Sequence, residues 1–267
     1  SGGAVSDVIL AAAKIAGVDE IYKVGGAQAI AALAYGTQSI PKADVIAGPG
    51  NIFVTLAKKE VYGEVGLDML AGPSEILIVA DNKQKPEFVA ADVLSQAEHD
   101  KLARALLITD DAAFAEKVQA EVERQLALLP RKDIAAYSCE HAGGIILVKD
   151  MDEAVDLANK IAPEHLELAV ENCDELLPKI RNAGAVFLGA WTPEPVGDYF
   201  AGPDHTLPTG GSARFFEVLN QDVFLRKMSV IKYTREAIEE DGEDIVRLAE
   251  SEHLGAHANA VRVRLKK

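Results

Sequence analysis

The chain has 267 residues, of which 49% are apolar and 26% are charged, and its formal net charge is −15. This length can bury the core of one large domain or of two smaller ones. The acidic charge argues against a nucleic-acid or anionic-membrane partner, because both bind basic surfaces. No apolar run approaches the roughly 20 residues of a membrane span, and Cys139 and Cys173 are too few for a disulfide framework. We therefore expect a soluble cytoplasmic protein.

Short apolar runs alternate with helical stretches in the first part of the chain, after a flexible lead-in predicted from Ser1 to Gly3. In order, we predict a helix from Ser6 to Ala16, a strand from Ile21 to Val24, a helix from Ala27 to Tyr35, a strand from Val45 to Ala47 and a helix from Asn51 to Tyr62. Ser6 and Asn51 are suitable N-caps, and a glycine follows each helix.

The same alternation continues with longer elements. Buried strands are predicted at Ile76 to Ala80, Ala105 to Thr109, Gly144 to Val148 and Ala185 to Leu188. Helices are predicted at Pro86 to Glu98, Asp111 to Leu128, Met151 to Ile161 and Asp174 to Asn182. Strands alternating with helices of this length indicate βαβ units and a mostly parallel sheet. Their nearly continuous apolar character is typical of strands covered by helices on both faces.

The end of the chain differs from this pattern. A long irregular stretch from Ala190 to Arg214 is rich in Gly, Pro and Thr. Irregular segments of that length are usually functional or mobile, and we favour a functional role because this one carries Asp198 and His205. From Thr234 the chain is charged and helical, with a break predicted around Gly242.

Five of the six histidines lie in clusters with a carboxylate or an amide. These clusters are Gln96 to His99, Glu164 with His165, Asp198 with His205, and Glu252 to His257. Imidazole and carboxylate are the usual zinc ligands and the usual proton carriers near neutral pH, so the pattern indicates a metal-assisted active site. Gln96 and His99 share one helix face, which suits two ligands of one ion, although a solvated helix end explains them equally well.

Glu164 and His165 follow Pro163, where a helix should stop and a strand begin. Two proton carriers at this point are a plausible acid/base pair. The alternative is a capped helix end with exposed polar residues. Adjacent residues on extended backbone point to opposite sides, so both can line one pocket only if the backbone turns there.

Two glycine-rich turns, at Gly25 and at Gly48 to Gly50, each open a predicted helix. Such turns can present backbone N–H groups to a phosphate, although ordinary strand-to-helix turns explain them about as well. A third turn carries Ser74, which could contact a substrate or simply close the turn. From the residues alone we predict an α/β enzyme with a divalent metal and a nucleotide site.

Longer strings resemble the histidinol dehydrogenase family. They are Val24 to Thr37, Ala47 to Asn51, Ala71 to Glu75, Leu94 to His99, Ala162 to Leu166, Gly197 to Tyr199, Leu207 to Gly210 and Glu252 to His257, in the family's order. The resemblance implies oxidation of L-histidinol to L-histidine through the aldehyde, with reduction of two NAD⁺, as a step of histidine biosynthesis. It also implies an α/β fold of incomplete Rossmann-like domains with mostly parallel sheets, similar to aldehyde dehydrogenases, plus a helical C-terminal tail.

The resemblance assigns roles to individual residues. The zinc ligands, which also hold the substrate through the ion, fall on Gln96, His99, Asp198 and His257. The acid/base pair falls on Glu164 and His165, further substrate contacts on Ser74, His205 and Glu252, and NAD contacts on Gln28 and Asn51. A homodimer is implied in which His257 completes the partner's site. We expect a nucleotide-side lobe (1–74), a second lobe (75–160), a return segment with catalytic and metal residues (161–214) and a dimerisation tail (215–267).

Family members carry an additional N-terminal region, including an NAD-contacting tyrosine, ahead of the part that this chain resembles. We therefore expect a shortened form of the family protein, active or inactive. Two alternatives remain at this point: a zinc hydrolase that uses the same ligands to activate water, and a non-catalytic metal-binding fragment. The glycine-rich turns count against the hydrolase, which has no obvious use for them.

Overall fold

The structure is a computed structural model that describes residues 4–265, so the predicted lead-in from Ser1 to Gly3 lies outside the described residues. Contacts between residues divide the chain into two units, Ser1–Phe224 and Leu225–Lys267. Among the described residues, no helix is long and apolar enough to cross a membrane.

The first unit alternates strands and helices. Its strands are β1 (Val45–Ile46), β2 (Gly66–Leu67), β3 (Glu75–Ala80), β4 (Arg104–Thr109), β5 (Gly144–Leu147), β6 (His165–Ala169) and β7 (Ala185–Leu188). Its helices are α1 (Asp7–Ala16), α2 (Gly26–Tyr35), α3 (Ile52–Glu60), α4 (Pro86–Ala97), α5 (Ala112–Leu126), α6 (Lys132–Ala142), α7 (Met151–Ile161), α8 (Cys173–Leu176) and α9 (Glu194–Tyr199). The second unit contains α10 (Arg235–Ser251) and α11 (Gly255–Leu265).

A five-stranded parallel sheet forms the core of the first unit, in the order β5-β4-β3-β6-β7. One face of its central strand β3 packs through Ile76 and Ile78 against α4 and α5. The other face packs through Leu77 and Val79 against α7. The predicted parallel sheet with helices on both faces is therefore confirmed, and its strands are apolar because neither face meets water.

A smaller two-stranded parallel sheet, β1 with β2, lies in the first part of the same unit. Lys58 of α3 forms a buried ion pair with Asp68, just after β2. Both side chains also hold Gly48: its backbone N–H donates to Asp68 Oδ2 at 2.8 Å, and its carbonyl accepts from Lys58 Nζ at 3.0 Å. The glycine-rich loop from Gly48 to Asn51 is thereby fixed to α3 and β2.

Three sequence predictions about elements are wrong. Ile21 to Val24 forms no strand; Val24 donates a backbone hydrogen bond to Tyr22 within the run itself, so the run turns instead of pairing. The predicted break at Gly242 does not occur, because α10 continues to Ser251. Gly242 is instead a packing position, where an added Cβ would lie 2.7 Å from Leu265 of α11.

The third concerns the stretch from Ala190 to Arg214, which was predicted to be irregular but contains the helix α9. The predicted helix from Asp174 to Asn182 is also shorter than expected. It consists of α8 and a 3₁₀ turn, Leu177–Lys179, that contains Pro178.

Candidate active site

The candidate site lies where β3 and β6 begin. Ile76 pairs with His165 in the parallel register, so Glu75 and Glu164 lie side by side just ahead of that pair. Upstream, Ala162 adopts a left-handed conformation (φ 52°) and is followed by Pro163, which separates α7 from β6. The backbone turn that the sequence analysis required before Glu164 is therefore present.

The backbone of Glu75 holds both members of the predicted acid/base pair. Its N–H donates to Glu164 Oε2 at 2.8 Å, and its carbonyl oxygen lies 3.0 Å from His165 Nδ1. Since a carbonyl only accepts, His165 Nδ1 carries the proton and, in the neutral ring, Nε2 carries the lone pair. His165 Nε2 is buried and has no hydrogen-bond partner in the described part of the chain.

Burial favours the neutral form of both side chains. Glu164 is 7% exposed and His165 is 4% exposed, which contradicts the alternative of exposed polar residues at a helix end. Loss of solvation raises the pKa of Glu164 to about 8. The same effect lowers the pKa of His165 below its ordinary value. A neutral imidazole with a free nitrogen is ready to accept a proton at neutral pH.

The short helix α9 brings two further carboxyl groups to His165. Glu194 and Asp198 are four residues apart, and Glu194 Oε1 lies 3.8 Å from His165 Nε2. One ligand atom from each of His165, Glu194 and Asp198 lies within 4.8 Å of the other two, close enough for all three to hold one cation. Glu194 Oε1 is buried and makes no hydrogen bond to the described residues.

A second pair of carboxyl groups supports α9 from behind. Glu167 Oε1, on β6, accepts the backbone N–H of Glu194 at 2.8 Å. Asp92 of α4 shares a side-chain hydrogen bond with Glu167. Burial raises the pKa of Glu167 well above its ordinary value and that of Asp92 to about 6. Each carboxyl group disfavours ionisation of the other, because two negative charges in contact repel.

A cavity of about 390 Å³ opens at this edge of the sheet. It brings together predicted site residues from five separate segments of the chain, namely Ser74, His99, Glu164, His165, Asp198 and His205. Pro49, from the glycine-rich loop that precedes α3, lines the same cavity. Imidazole, carboxylate and hydroxyl groups thus converge on a space large enough for a small polar molecule.

Comparison with known proteins identifies the family. The profile described as histidinol dehydrogenase matches residues 1–265. The chain belongs to the histidinol dehydrogenase family. The histidinol dehydrogenases of Geobacter metallireducens and Geobacter sulfurreducens are 57% and 56% identical to it, each over 99% of this chain. The crystal structure of histidinol dehydrogenase from Elizabethkingia anophelis superposes with a TM-score of 0.91 at 45% identity, covering 96% of this chain.

The chain spans only part of these histidinol dehydrogenases. It covers 61% and 62% of the two Geobacter proteins and 59% of the Elizabethkingia chain. The expectation of a form shorter than the family protein agrees with these figures.

Gln96 is the most deeply buried of the zinc ligands that the histidinol dehydrogenase resemblance implies. It is 0% exposed, so a solvated helix end does not describe it. Neither its Oε1 nor its Nε2 has a hydrogen-bond partner among the described residues. His99, three residues on, is exposed and lines the cavity. A buried amide without partners is costly, and a bound ligand would satisfy it.

Of the other predicted residues, two belong to the first unit without lining this cavity, and two belong to the second unit. Glu252 and His257 belong to the second unit, where both are exposed. Gln28 is exposed on α2. Asn51 caps α3, with its side-chain oxygen accepting the N–H groups of residues 53 and 54. The cap confirms the predicted helix start and leaves the amide nitrogen of Asn51 for other contacts.

Sequence reasoning missed the supporting carboxyl groups of this candidate site, which are Glu75, Asp92, Glu167 and Glu194. Glu167 could have been found from the sequence, because a charged residue within the buried strand β6 requires a partner. Glu194 could have been found together with Asp198, since two acids four residues apart after a proline suit one face of a helix. Asp92 lay in a predicted helix without any distinguishing pattern, and Glu75 ended the turn with Ser74, just ahead of the predicted strand, without a role being assigned to it.

Proposed function

We propose that this chain carries the active site of a zinc-dependent histidinol dehydrogenase that oxidises L-histidinol to L-histidine through the aldehyde and reduces two NAD⁺. The observation that carries the proposal is a buried imidazole, His165, beside Glu164 at a cavity that also collects His99, Asp198 and His205. Membership of the family supports histidinol as the substrate and a role in histidine biosynthesis, and we propose that the protein acts in the cytoplasm.

The residues present fit a zinc ion. Gln96 has an unpartnered buried amide, and His99 and Asp198 line the cavity nearby. We propose that His257 joins them in a set of four nitrogen and oxygen donors, the number that zinc prefers. A zinc ion held by these residues would act as a template that positions the substrate. Gln28 and Asn51 are proposed to contact NAD⁺, the hydride acceptor of both oxidations.

His165 is proposed as the base of the first oxidation. Its Nδ1 proton is engaged with the Glu75 carbonyl, so its basic nitrogen is Nε2. Burial keeps the ring neutral at neutral pH, and it can therefore take the hydroxyl proton as the alcohol carbon loses hydride. Ser74 and His205, which both line the cavity, are proposed to orient the substrate.

Glu164 is proposed to act in the second oxidation. The aldehyde needs a water molecule as the source of the second carboxylate oxygen, and a carboxylate can remove a proton from that water. A pKa raised to about 8 makes Glu164 a stronger base than an ordinary carboxylate once it is ionised. The hydrogen bond from the Glu75 N–H favours the ionised form.

The test is NADH formation, followed at 340 nm, by the full-length, zinc-loaded protein with L-histidinol. The expected product is L-histidine with two NADH per histidinol consumed. No NADH from folded, zinc-loaded, full-length protein would overturn the proposal. NAD-independent hydrolysis of ester or amide substrates would support the zinc hydrolase, and zinc binding without any turnover would support a non-catalytic protein.

A homodimer with shared sites is also proposed. Glu252 and His257 are exposed polar residues of a helical unit separate from the rest of the chain. The resemblance gives them substrate and zinc contacts, which requires this unit to reach a site built by a first unit. In the proposed dimer, that site belongs to the other copy.

A further inference from the structure

Glu75 is the first residue of β3, and it contacts three separate parts of the candidate site. Its N–H donates to the Glu164 carboxylate at 2.8 Å, and its carbonyl oxygen accepts from His165 Nδ1 at 3.0 Å. Its own carboxylate accepts the N–H of Gly210 at 2.8 Å. The residue is 6% exposed and lies between the acid/base pair and the segment from His205 to Gly210.

The backbone and the side chain of Glu75 have different tasks. The contacts to Glu164 and His165 use only backbone atoms, so most residues at position 75 would make them. The contact to Gly210 uses the carboxylate and depends on the side chain. Substitution of Glu75 should therefore remove the side-chain contact to Gly210 and keep the backbone contacts to Glu164 and His165.

Hydrogen bonds tie the segment from His205 to Gly210 to the residues that open β3 and, through the Leu219 N–H and the Thr206 carbonyl, to a later part of the chain. Four of its residues line the cavity: His205, Thr206, Leu207 and Thr209. Gly210 and Gly211 both adopt positive φ angles, 62° and 79°, and their consecutive N–H groups face the Glu75 carboxylate. Glycine populates this region without strain, which allows the chain to present both groups to one acceptor. A second tie joins Thr209 Oγ1 to the N–H of Gly72.

We infer that Glu75 is a positioning residue whose carboxylate sets the place of the His205–Gly210 segment and thereby the affinity for the amino-alcohol substrate, while its backbone sets the acid/base pair independently. The inference rests on the proposed function for the identity of the substrate. It assigns to the Glu75 side chain an effect on substrate binding and little effect on proton transfer.

Steady-state kinetics of the full-length, zinc-loaded enzyme test this assignment with Glu75→Ala and Glu75→Gln. Glu75→Ala should raise KM for histidinol about tenfold, the scale expected when a hydrogen bond to a charged group is lost. Its kcat should stay within about threefold, because the backbone contacts to Glu164 and His165 remain. Glu75→Gln should restore KM to within about threefold, since the amide oxygen accepts the same N–H.

A matched control distinguishes loss of the Gly210 contact from general destabilisation of the fold. Val118 is a buried core residue of α5 without contact to the cavity, so Val118→Ala lowers stability and should leave KM unchanged. The assignment is overturned if Glu75→Ala lowers kcat with KM unchanged, if Glu75→Gln is as impaired as Glu75→Ala, or if Val118→Ala raises KM equally.

A second readout does not depend on activity. Amide hydrogen exchange at Gly210 and Gly211 should accelerate in Glu75→Ala but not in Glu75→Gln. The ¹⁵N chemical shifts of His165 should report the Nδ1–H tautomer in all three proteins. If the wild-type protein does not oxidise histidinol but exchange behaves in this way, the proposed function fails and the positioning role stands. Unchanged exchange in Glu75→Ala overturns the positioning role itself.

Discussion

Burial decides which member of the proposed acid/base pair, Glu164 or His165, is ready to accept a proton at neutral pH. Both side chains favour their neutral forms, which leaves His165 with a lone pair and Glu164 with a proton until the pH approaches about 8. An exposed glutamate would instead be ionised at neutral pH, because its ordinary pKa lies well below 7. The different roles proposed for two adjacent residues thus follow from one physical cause, the removal of water.

The first prediction separates these two roles by mutation. In the full-length enzyme, His165→Asn should keep zinc and substrate binding while turnover falls by roughly two to four orders of magnitude, the usual scale for losing a general base. Glu164→Gln keeps an oxygen that accepts the Glu75 N–H, so it should oxidise histidinol but accumulate the aldehyde. NADH yield and product analysis measure both. Turnover of His165→Asn within tenfold of the wild type would contradict the base role.

The second prediction concerns the pH dependence of the stability of the metal-free chain. Burial raises the pKa values of Glu164 and Glu167 above their unfolded values, so the folded state binds more protons than the unfolded state at intermediate pH. This contribution to stability is fully present below the unfolded pKa of about 4.5 and is lost as the pH rises through the folded values. The free energy of unfolding should therefore decline between about pH 5 and pH 8.

Glu167→Gln tests the origin of this decline. The amide oxygen can still accept the Glu194 N–H and no longer titrates, so the slope of unfolding free energy against pH should become shallower. Glu121 is a suitable control because it is a surface carboxylate paired with Arg124, whose hydrogen bond lowers its pKa. Urea denaturation across this pH range measures the slope. An equal slope in wild type and Glu167→Gln would show that the Asp92–Glu167 pair does not cause it.

At the scale of elements, the site is built where strands begin. Parallel sheets commonly bind ligands at the carboxyl ends of their strands, whereas this cavity is lined by residues preceding or opening β3 and β6. The end of α4 contributes Gln96 and His99, and α9 contributes Asp198. α4 follows β3 and runs back across the sheet, which returns its last turn to the edge where β3 began.

The third prediction identifies the metal ligands that these helices supply. Elemental analysis of the dimeric protein should find close to one zinc per chain, and His99→Ala should remove it. Glu194→Gln should retain zinc, because the proposed ligands are Gln96, His99, Asp198 and His257. The opposite result, with zinc kept by His99→Ala and lost by Glu194→Gln, would assign the ion to the alternative group of His165, Glu194 and Asp198.

Periodicity and capping predicted most of the sheet-and-helix framework. Of the two predicted N-caps, Asn51 caps α3 through its side chain, whereas Ser6 precedes α1 without a capping hydrogen bond from its side chain. The two residues of β2 were too few to show a pattern, and α6 carried no side-chain cap. The helix α9 was missed because its glycine and flanking prolines suggested irregular structure, whereas packing against β6 and β7 favours a helix there. An added Cβ at Gly197 would lie 2.7 Å from Phe187, so a glycine is needed for that close approach.

The candidate site was only partly predictable for a related reason. Motifs and histidine clusters indicated the groups that meet at the cavity, but sequence spacing does not reveal which side chains are buried together. Gln96 illustrates this limit. Its position on the helix face was equally consistent with a metal ligand and with a solvated helix end, and only its complete burial distinguishes the two. Glu75 illustrates it again, because its contacts come from strand register and from a loop far along the chain.

At the scale of the whole molecule, the chain consists of a sheet-containing unit and a helical unit. The proposed ligands Gln96, His99 and Asp198 lie in the first unit and His257 lies in the second. In a dimer with exchanged tails, neither chain holds a complete set of zinc ligands alone. Zinc binding would then depend on protein concentration through the dimerisation equilibrium.

The fourth prediction tests this arrangement by complementation. His99→Ala and His257→Ala should each lose zinc as pure dimers. A mixed dimer should contain one intact site and one site that lacks both ligands, so refolding an equal mixture should restore zinc to part of the sites. Native mass spectrometry can confirm that mixed dimers form. If they form without regaining zinc, each chain builds its site from its own residues.

The buried ion pair between Lys58 and Asp68 limits how this part of the first unit can change during evolution. Loss of either partner leaves the other charge buried, at a cost of about 3–5 kcal/mol, so a lineage that substitutes one residue first passes through a poorly folded intermediate. Exchange of both for apolar residues would remove that cost but would also release the two contacts to Gly48. Descendants of this sequence can therefore alter positions 58 and 68 only jointly, and only together with a differently supported glycine-rich loop.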